Sequence, residues 1–427
     1  MDFNIFLARF GLSPDNFVNK YSEPIKYENG FIYELEEKNN HPKCVLCEGK
    51  TKVYKRPMIE IINQFNVYTN DIIRIKRVRH KCMICGKTFY EPLKGITPHS
   101  KITQQTLMMI LNDFKRMKSF SEIAKDFGLT PMRIIEIFDQ YIPFQKRNKL
   151  SEILCIDEIY FSYKPTRTKY PCVLYDYKNK TIIDMVVTRQ KPVLEEYFNQ
   201  IPTKELQNVR FFVSDMYAEY RSLKEKFLPK AIHIVDIFHV IRTLTTTINT
   251  LRVRVMNKVA LDDTPEKNFM KAHYSQFLCR REKIKDKYYL FKKTGEIYHY
   301  DELVSKCIKL HPALLNGYNV LQDLYHYSNF FTFTEAYNFF TFISNRLLMS
   351  ENELLISVGK TYKKWIVEIS NAFSKSYKGS RITNSVAENT NNKIKTLIKI
   401  GYGYRNFPRF RNRIMYIINN RVESENL

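Results

Sequence analysis

The sequence predicts a multidomain α/β protein: a small cysteine-clasped N-terminal region, a short helical module, and a mixed sheet interrupted by a large all-α insertion. Three observations predict it. Two C-x-x-C pairs stand in the first hundred residues, strand and helix patterns alternate from Ser151 to Asp236, and residues 241–380 carry Leu, Phe and Tyr at helical spacing. A chain of 427 residues exceeds one ordinary core, so two to four domains are expected.

Hydrophobic residues at 44% and aromatics at 14% are ample for burial, so the chain is globular. Its 68 Lys+Arg against 44 Asp+Glu give a net charge of +24, which favours a polyanionic partner such as nucleic acid or an acidic membrane face. No apolar run approaches the roughly 18 to 20 residues that span a bilayer. Asp2, Asn4 and Arg9 interrupt the N-terminal apolar stretch, which lacks the shape of a secretory signal. A cytoplasmic setting is expected. Eight cysteines there seldom mean disulfides. Cys155, Cys172, Cys279 and Cys307 sit in apolar contexts and read as core residues.

Residues 1–98 form the first expected domain. Cys44, Cys47, Cys82 and Cys85, with 34 residues between the pairs, can give four thiolates to one structural Zn²⁺. The strand-like "KVYK" and "DIIRIKRVRH" suit a zinc ribbon with a long hairpin. The basic run around the second pair suits a phosphate-contacting edge, with a solvated charged strand as its rival.

Residues 99–148 read as three helices, the last two forming a helix-turn-helix. Gly128 marks the turn, and Thr130 caps the second helix with Pro131 at its first position. That helix offers Met132, Arg133 and Glu136 to base edges of double-stranded DNA. A helical hairpin that merely packs is the alternative.

Residues 149–240 give the strands "EILCIDEIYFSY", "YPCVLYDY" and "TIIDMVV", then helix, "NVRFFVSD", helix and "AIHIVDI". Three antiparallel strands followed by strands reached through helices match an RNase H-like core, in which the ends of the first and fourth strands lie adjacent. Asp157 and Asp215 would then meet. Two such carboxylates repel unless a cation lies between them, and hard oxygen ligands suit Mg²⁺ or Mn²⁺. Glu158, next to Asp157, points to the opposite face.

Residues 241–380 read as an all-helical insertion, and 381–427 as the end of the core with a basic tail. In "TNSVAENTNNKIKTLIKIGYGYRNF" a helix opens with Asn384 as a cap and Glu388 one turn in. If that helix returns to the sheet, Glu388 is a third ligand. The tail interleaves Tyr402, Tyr404, Phe407 and Phe410 with Arg405, Arg409, Arg411 and Arg413. It suits phosphate and base contact, or a segment that buries its aromatics and leaves arginines in water. Both readings stand.

These motifs together, from the C-x-x-C pairs and the helix-turn-helix to "IDE", "VSDMYAEY", "VDIFHV" and "NSVAENTNNKIKTLIKIGYGYRNF", resemble the ISL-three family of bacterial insertion-sequence transposases over nearly the whole chain. That family belongs to the acid-triad (DDE) recombinases. The resemblance implies a retroviral-integrase-like core with a helical insertion, in which Asp157, Asp215 and Glu388 bind two catalytic Mg²⁺ or Mn²⁺ ions. It implies cleavage and strand transfer on terminal inverted repeats and target DNA, by a homodimer or larger synaptic assembly near the bacterial nucleoid. Asp236 and His239 match a shared Asp-x-x-His signature and read as a supporting pair that fixes a helix start. Ile237 stands where an arginine is expected and Thr390 where glycine is common. A non-catalytic DNA-binding repressor and a structure-specific RNase H-like nuclease are the rival readings.

Overall fold

A computed structural model of the chain describes all residues except 1–2, 21, 28–29, 67–68, 98–100, 162–168, 259–262, 327–329, 331, 376, 402–405 and 426–427. It divides into two compact units, residues 1–146 with 394–427, and residues 147–393.

In the first unit, helix α1 (Phe3–Arg9) lays Phe3, Phe6 and Leu7 against a four-stranded sheet. Its strands are β1 (Ile25–Tyr27), β2 (Gly30–Glu36), β4 (Met58–Asn66) and β5 (Thr69–Lys76), in the order β1-β2-β5-β4. Gly95, at φ +96°, lets the chain cross close to the helix exit; a Cβ there would stand 2.0 Å from the Gly11 carbonyl oxygen. A second, three-stranded sheet joins β3 (Thr51–Lys55), β6 (Arg79–Cys82) and β7 (Thr88–Tyr90), with β6 in the middle.

The run expected as one strand, "DIIRIKRVRH", is therefore split between two sheets. Its break is at Arg77 and Val78. Arg77 Nε reaches the buried Glu37 carboxylate at 2.7 Å, and the Val78 N–H donates to the same oxygen at 2.6 Å. A buried carboxylate needs such partners, and taking the Val78 N–H removes it from the ladder.

Helices α2 (Gln104–Asp113), α3 (Phe120–Asp126) and α4 (Pro131–Tyr141) follow as expected. Each begins where a hydroxyl can accept an otherwise orphaned backbone N–H. Thr103 accepts from Thr106, Ser119 forms a capping box with Glu122, and Thr130 accepts from Arg133. Ile110, Phe114, Ile123, Ala124, Ile134 and Phe138 form their common core.

The C-terminal helix (Phe407–Glu425) closes this unit. Arg413 is fully buried; it donates to the carbonyls of Phe114 (2.6 Å) and Lys118 (3.1 Å), its guanidinium within 5.5 Å of the Phe114, Phe120 and Phe138 ring centres. Asn412 accepts the Gln145 N–H at 2.6 Å, and Arg411 donates to the Gln145 carbonyl at 2.9 Å.

The second unit is built on a five-stranded sheet of β8 (Ile153–Glu158), β9 (Cys172–Asp176), β10 (Thr181–Val186), β11 (Phe211–Ser214) and β12 (Ile232–Val235). The order is β10-β9-β8-β11-β12, antiparallel through the first three strands and parallel from β8 to β12. Helices α5 (Lys191–Asn199), α6 (Thr203–Leu206) and α7 (Ala218–Phe227) provide the crossovers. Leu154, Ile156, Leu174, Leu194, Phe198, Phe212 and Tyr220 pack one face of the sheet.

Beyond β12, helix α8 (Ile237–Lys258) starts immediately, followed by α9 (Pro265–Ala272), α10 (Tyr300–Lys309), α11 (Pro312–His326), α12 (Phe333–Leu348), α13 (Glu353–Lys364) and α14 (Ile366–Phe373). The expectation of an all-α insertion is corrected here. An antiparallel hairpin, β13 (Tyr288–Phe291) with β14 (Glu296–His299), interrupts the helices. Its strands, Tyr-Tyr-Leu-Phe and Glu-Ile-Tyr-His, are rich in aromatic residues, and Gly295 takes the positive φ of 79° that the turn requires. Helix α15 (Ser385–Ile400) comes last in this part of the chain, its first turn carrying Glu388.

Candidate active site

β8 and β11 are central, parallel neighbours whose register sets Val213 beside Cys155. Asp215, two residues past Val213, accordingly falls beside Asp157, two residues past Cys155, on the same face. Glu158 faces the other way: its carboxylate accepts the Tyr220 hydroxyl at 2.6 Å and lies 3.4 Å from Arg189. It is structural, as the alternation of the strand predicts.

Burial pushes the Asp157 carboxyl up to about 7, and the negative charge of Asp215 adds to the rise. Its Oδ1 accepts the Glu158 N–H at 2.7 Å. Its Oδ2 accepts the side-chain amide of Asn391 at 2.7 Å. Asn391 belongs to α15 and is itself buried, and its Oδ1 accepts the hydroxyl of the fully buried Tyr175 on β9. Helix α15 therefore touches the sheet at Asp157. Glu388 precedes Asn391 by three residues, about 4.5 Å along the helix axis, which sets the two on one side of the helix. Glu388 is exposed, and its N–H donates to the Asn384 carbonyl at 3.0 Å.

His239 lies between two acids. Its Nδ1 is 3.0 Å from Asp215 Oδ1 and 3.1 Å from Asp236 Oδ2. Burial opposes a charged ring, but the paired carboxylates outweigh it and hold the imidazolium up to about 10. Asp236 also accepts the Phe238 N–H at 3.1 Å, at the start of α8. The sequence reading missed that His239 reaches Asp215 as well. This contact is an ion pair, and Asp215 Oδ1 is buried with no further partner. A buried carboxylate oxygen with no further partner, beside a second acid that resists ionisation, fits a hard divalent cation. Among the described residues, Asp215, Asp236 and His239 are one of two groups whose ligand atoms cluster within 4.8 Å; Asp157 and Glu388 stand outside it.

On the other side of Asp215, the Ser214 hydroxyl donates to the Asp215 carbonyl at 3.0 Å and receives His233 Nε2 at 2.8 Å. Since the serine proton is spent on that carbonyl, the imidazole proton sits on Nε2. Nδ1 is buried without a partner. Burial, with the charges of Arg221 and Lys224, lowers this ring to about 3. Glu368 lies 3.9 Å away but is committed to Arg221 at 2.8 Å.

The second group is Cys44, Cys47, Cys82 and Cys85. Sulfur pairs lie 3.6 Å (Cys44 to Cys85) and 3.5 Å (Cys47 to Cys82) apart. A tetrahedron with bonds of about 2.3 Å has edges of about 3.8 Å, so the four fit one zinc ion. Backbone N–H groups of Leu46, Ile84 and Cys85 point at the Cys44 and Cys82 sulfurs, as thiolates require. Of the remaining cysteines, Cys155, Cys172 and Cys307 are buried and Cys279 half-buried.

The arginines expected at DNA divide. Arg133 lies on the outer side of α4, 2.6 Å from Glu136. Arg409 pairs with Asp139 at 2.6 Å. The expectation for Arg411 is corrected: it is 8% exposed, and its guanidinium is used on Gln145 and against the Phe144 ring. Arg405, with Tyr402 and Tyr404, lies outside the described residues. A cationic face that the sequence only hinted at is present on β3-β6-β7. Lys52 opposes Lys81 and Lys55 opposes Arg79; Lys55 and Lys81 lie 5.4 and 5.6 Å from the Tyr54 ring centre, and Arg79 5.7 Å from that of Tyr90.

The family model of the ISL3-type DDE transposases, described as a transposase, matches residues 154–414, more than half of the chain, and the chain belongs to that family. A curated protein of Lactococcus lactis subsp. lactis named as an ATP-dependent protease is 32% identical over 126 residues, 29% of this chain and 37% of that protein. The chain thus covers little more than a third of that relative's length. No helix among the described residues is long and apolar enough to cross a membrane.

Proposed function

We propose that this protein is a DNA transposase that binds the terminal inverted repeats of an insertion sequence and carries out metal-dependent cleavage and strand transfer through Asp157, Asp215 and Glu388. The family match supports transposition in general. The observation that carries the finer reading is the Asn391 to Asp157 bond, because it brings the helix of Glu388 to the strand end where Asp157 and Asp215 meet. The strand order supports an RNase H-like core in residues 149–240, completed by 381–393 of the same compact unit, with 241–380 as the insertion.

Asp157, Asp215 and Glu388 would hold Mg²⁺ or Mn²⁺, two such ions supplying a lowered pKa for the attacking water and charge neutralisation at the entering and leaving oxygens. The protein's own residues prepare that place. Asp157 is oriented through both oxygens, and His239, charged between Asp215 and Asp236, restrains the second acid. No side chain acts as a covalent nucleophile.

Duplex DNA is held electrostatically by the Lys and Arg face of β3-β6-β7, by Arg409 and by Arg405 of the tail. On α4 the exposed Met132 and Glu136 and the half-buried Arg133 read base edges as the second helix of a helix-turn-helix. One Zn²⁺ at the four cysteines keeps the ribbon of residues 1–98 folded beside it. Bringing two ends together calls for a homodimer or larger assembly, working in the bacterial cytoplasm at the nucleoid.

The test uses the full-length protein, Mn²⁺ and a labelled duplex carrying the inverted repeat. Binding, cleavage and joining by the wild type, with Asp157→Asn binding but inert, is the expected result. Binding alone would make the protein a repressor, and cutting without joining a nuclease. Joining by Asp157→Asn would overturn the acid assignment.

A further inference from the structure

We infer that Asn391 and Tyr175 are positioning residues for Asp157, a two-link relay that sets the direction of its carboxylate; this rests on the acid assignment above. Asp157 comes from β8, Tyr175 from β9 and Asn391 from α15, so three separate elements converge on one carboxylate. The Tyr175 hydroxyl donates to Asn391 Oδ1, and Asn391 Nδ2 donates to Asp157 Oδ2 at 2.7 Å.

The polarity of this chain has one solution. In the cation-binding form Asp157 is ionised despite its raised pKa, and an ionised carboxylate only accepts, so the amide must present its nitrogen to Asp157 and its oxygen to a donor. Tyr175 is that donor. Without its proton the amide could turn over, and its carbonyl oxygen would then face the carboxylate. Asp157 Oδ1 is meanwhile held by the Glu158 N–H at 2.7 Å. Each carboxylate oxygen thus has one fixed donor and keeps further lone pairs for a cation. Both relay groups are buried, so water cannot substitute for them.

Tyr175→Phe keeps the ring and removes only the hydroxyl. In the full-length protein without DNA, its Mn²⁺ affinity measured by calorimetry is expected to fall roughly 10- to 100-fold, as does that of Asn391→Ala. With the labelled duplex, kcat for cleavage falls while KM for DNA holds. Asn391→Asp, which sets a second carboxylate against Asp157, should be worse in kcat than Asn391→Ala. Wild-type Mn²⁺ affinity and kcat in Tyr175→Phe would overturn the inference, whether or not its thermal midpoint falls, because a merely structural role predicts that midpoint shift alone. Should Asn391→Ala fail to fold, Tyr175→Phe decides by itself. Asp157→Asn, run in parallel, separates the two readings: if it still cleaves, the acid assignment fails; if it is inert while Tyr175→Phe behaves as wild type, only the positioning role fails.

Discussion

Asn391 donates to Asp157 at 2.7 Å across 234 positions of sequence. One hydrogen bond thus ties the first strand of the sheet to a helix that follows about 150 residues after the last strand. Glu388 is carried with that helix and is exposed. Glu388→Gln should leave the thermal midpoint and gel-shift affinity for the inverted-repeat duplex unchanged. Cleavage and joining should fall roughly 1000-fold or more. Cleavage at the wild-type rate would remove Glu388 from the triad.

The four cysteines predict one zinc ion per chain by atomic absorption. Cys82→Ser, or a strong chelator, should remove it. Structural zinc contributes on the order of 10 kcal/mol to small domains, so residues 1–98 should then become protease-sensitive. A zinc-free protein of unchanged protease resistance would show that the cysteines are only packed.

Arg413 and Arg411 should behave as structural residues. Arg413→Ala leaves the Phe114 and Lys118 carbonyls without this donor inside an aromatic cage, and the expected loss is about 3 kcal/mol in urea unfolding. Arg411→Ala should not alter the salt dependence of DNA binding, whereas replacing an arginine that contacts a phosphate lowers the slope by about one. A flatter salt dependence in Arg411→Ala at full stability would contradict its buried position.

His233 makes the second unit sensitive to acid. In the unfolded chain it titrates near 6.5; folded, it is depressed to about 3. The unfolded state takes the proton first, so the contribution is intact above about pH 6.5 and lost as pH falls towards 3. Between pH 7 and 5 the loss is about 2 kcal/mol. His233→Gln, which can still donate to Ser214, should show a shallower fall of melting temperature over that range. Equal slopes in the two proteins would show that His233 is not the titrating group.

Much of the site was legible in sequence because its signals are local. Two C-x-x-C turns, the Thr130 cap and the strand that stops at Asp215 depend on neighbours a few residues away. Alternation along β8 also turned Glu158 away from Asp157, and the structure agrees. The tail was harder. Interleaved aromatics and arginines have the same pattern whether the arginines meet phosphates or carbonyls, and only the packing of the C-terminal helix on α2, α3 and α4 separates Arg411 and Arg413 from Arg409.

By itself, then, the sequence determined the cysteine set, the order of strands and helices from β8 to β12 and the acids worth testing, since hydrophobic period, caps and ligand spacing are written within short windows. Tertiary structure decided what distance along the chain conceals. It set His239 against Asp215 as well as Asp236, grouped residues 394–427 with the N-terminal unit, and joined Tyr175, Asn391 and Asp157 in one relay. The reason is physical: a buried polar group must find a partner, but its own sequence does not say which distant residue the packing will bring within 3 Å.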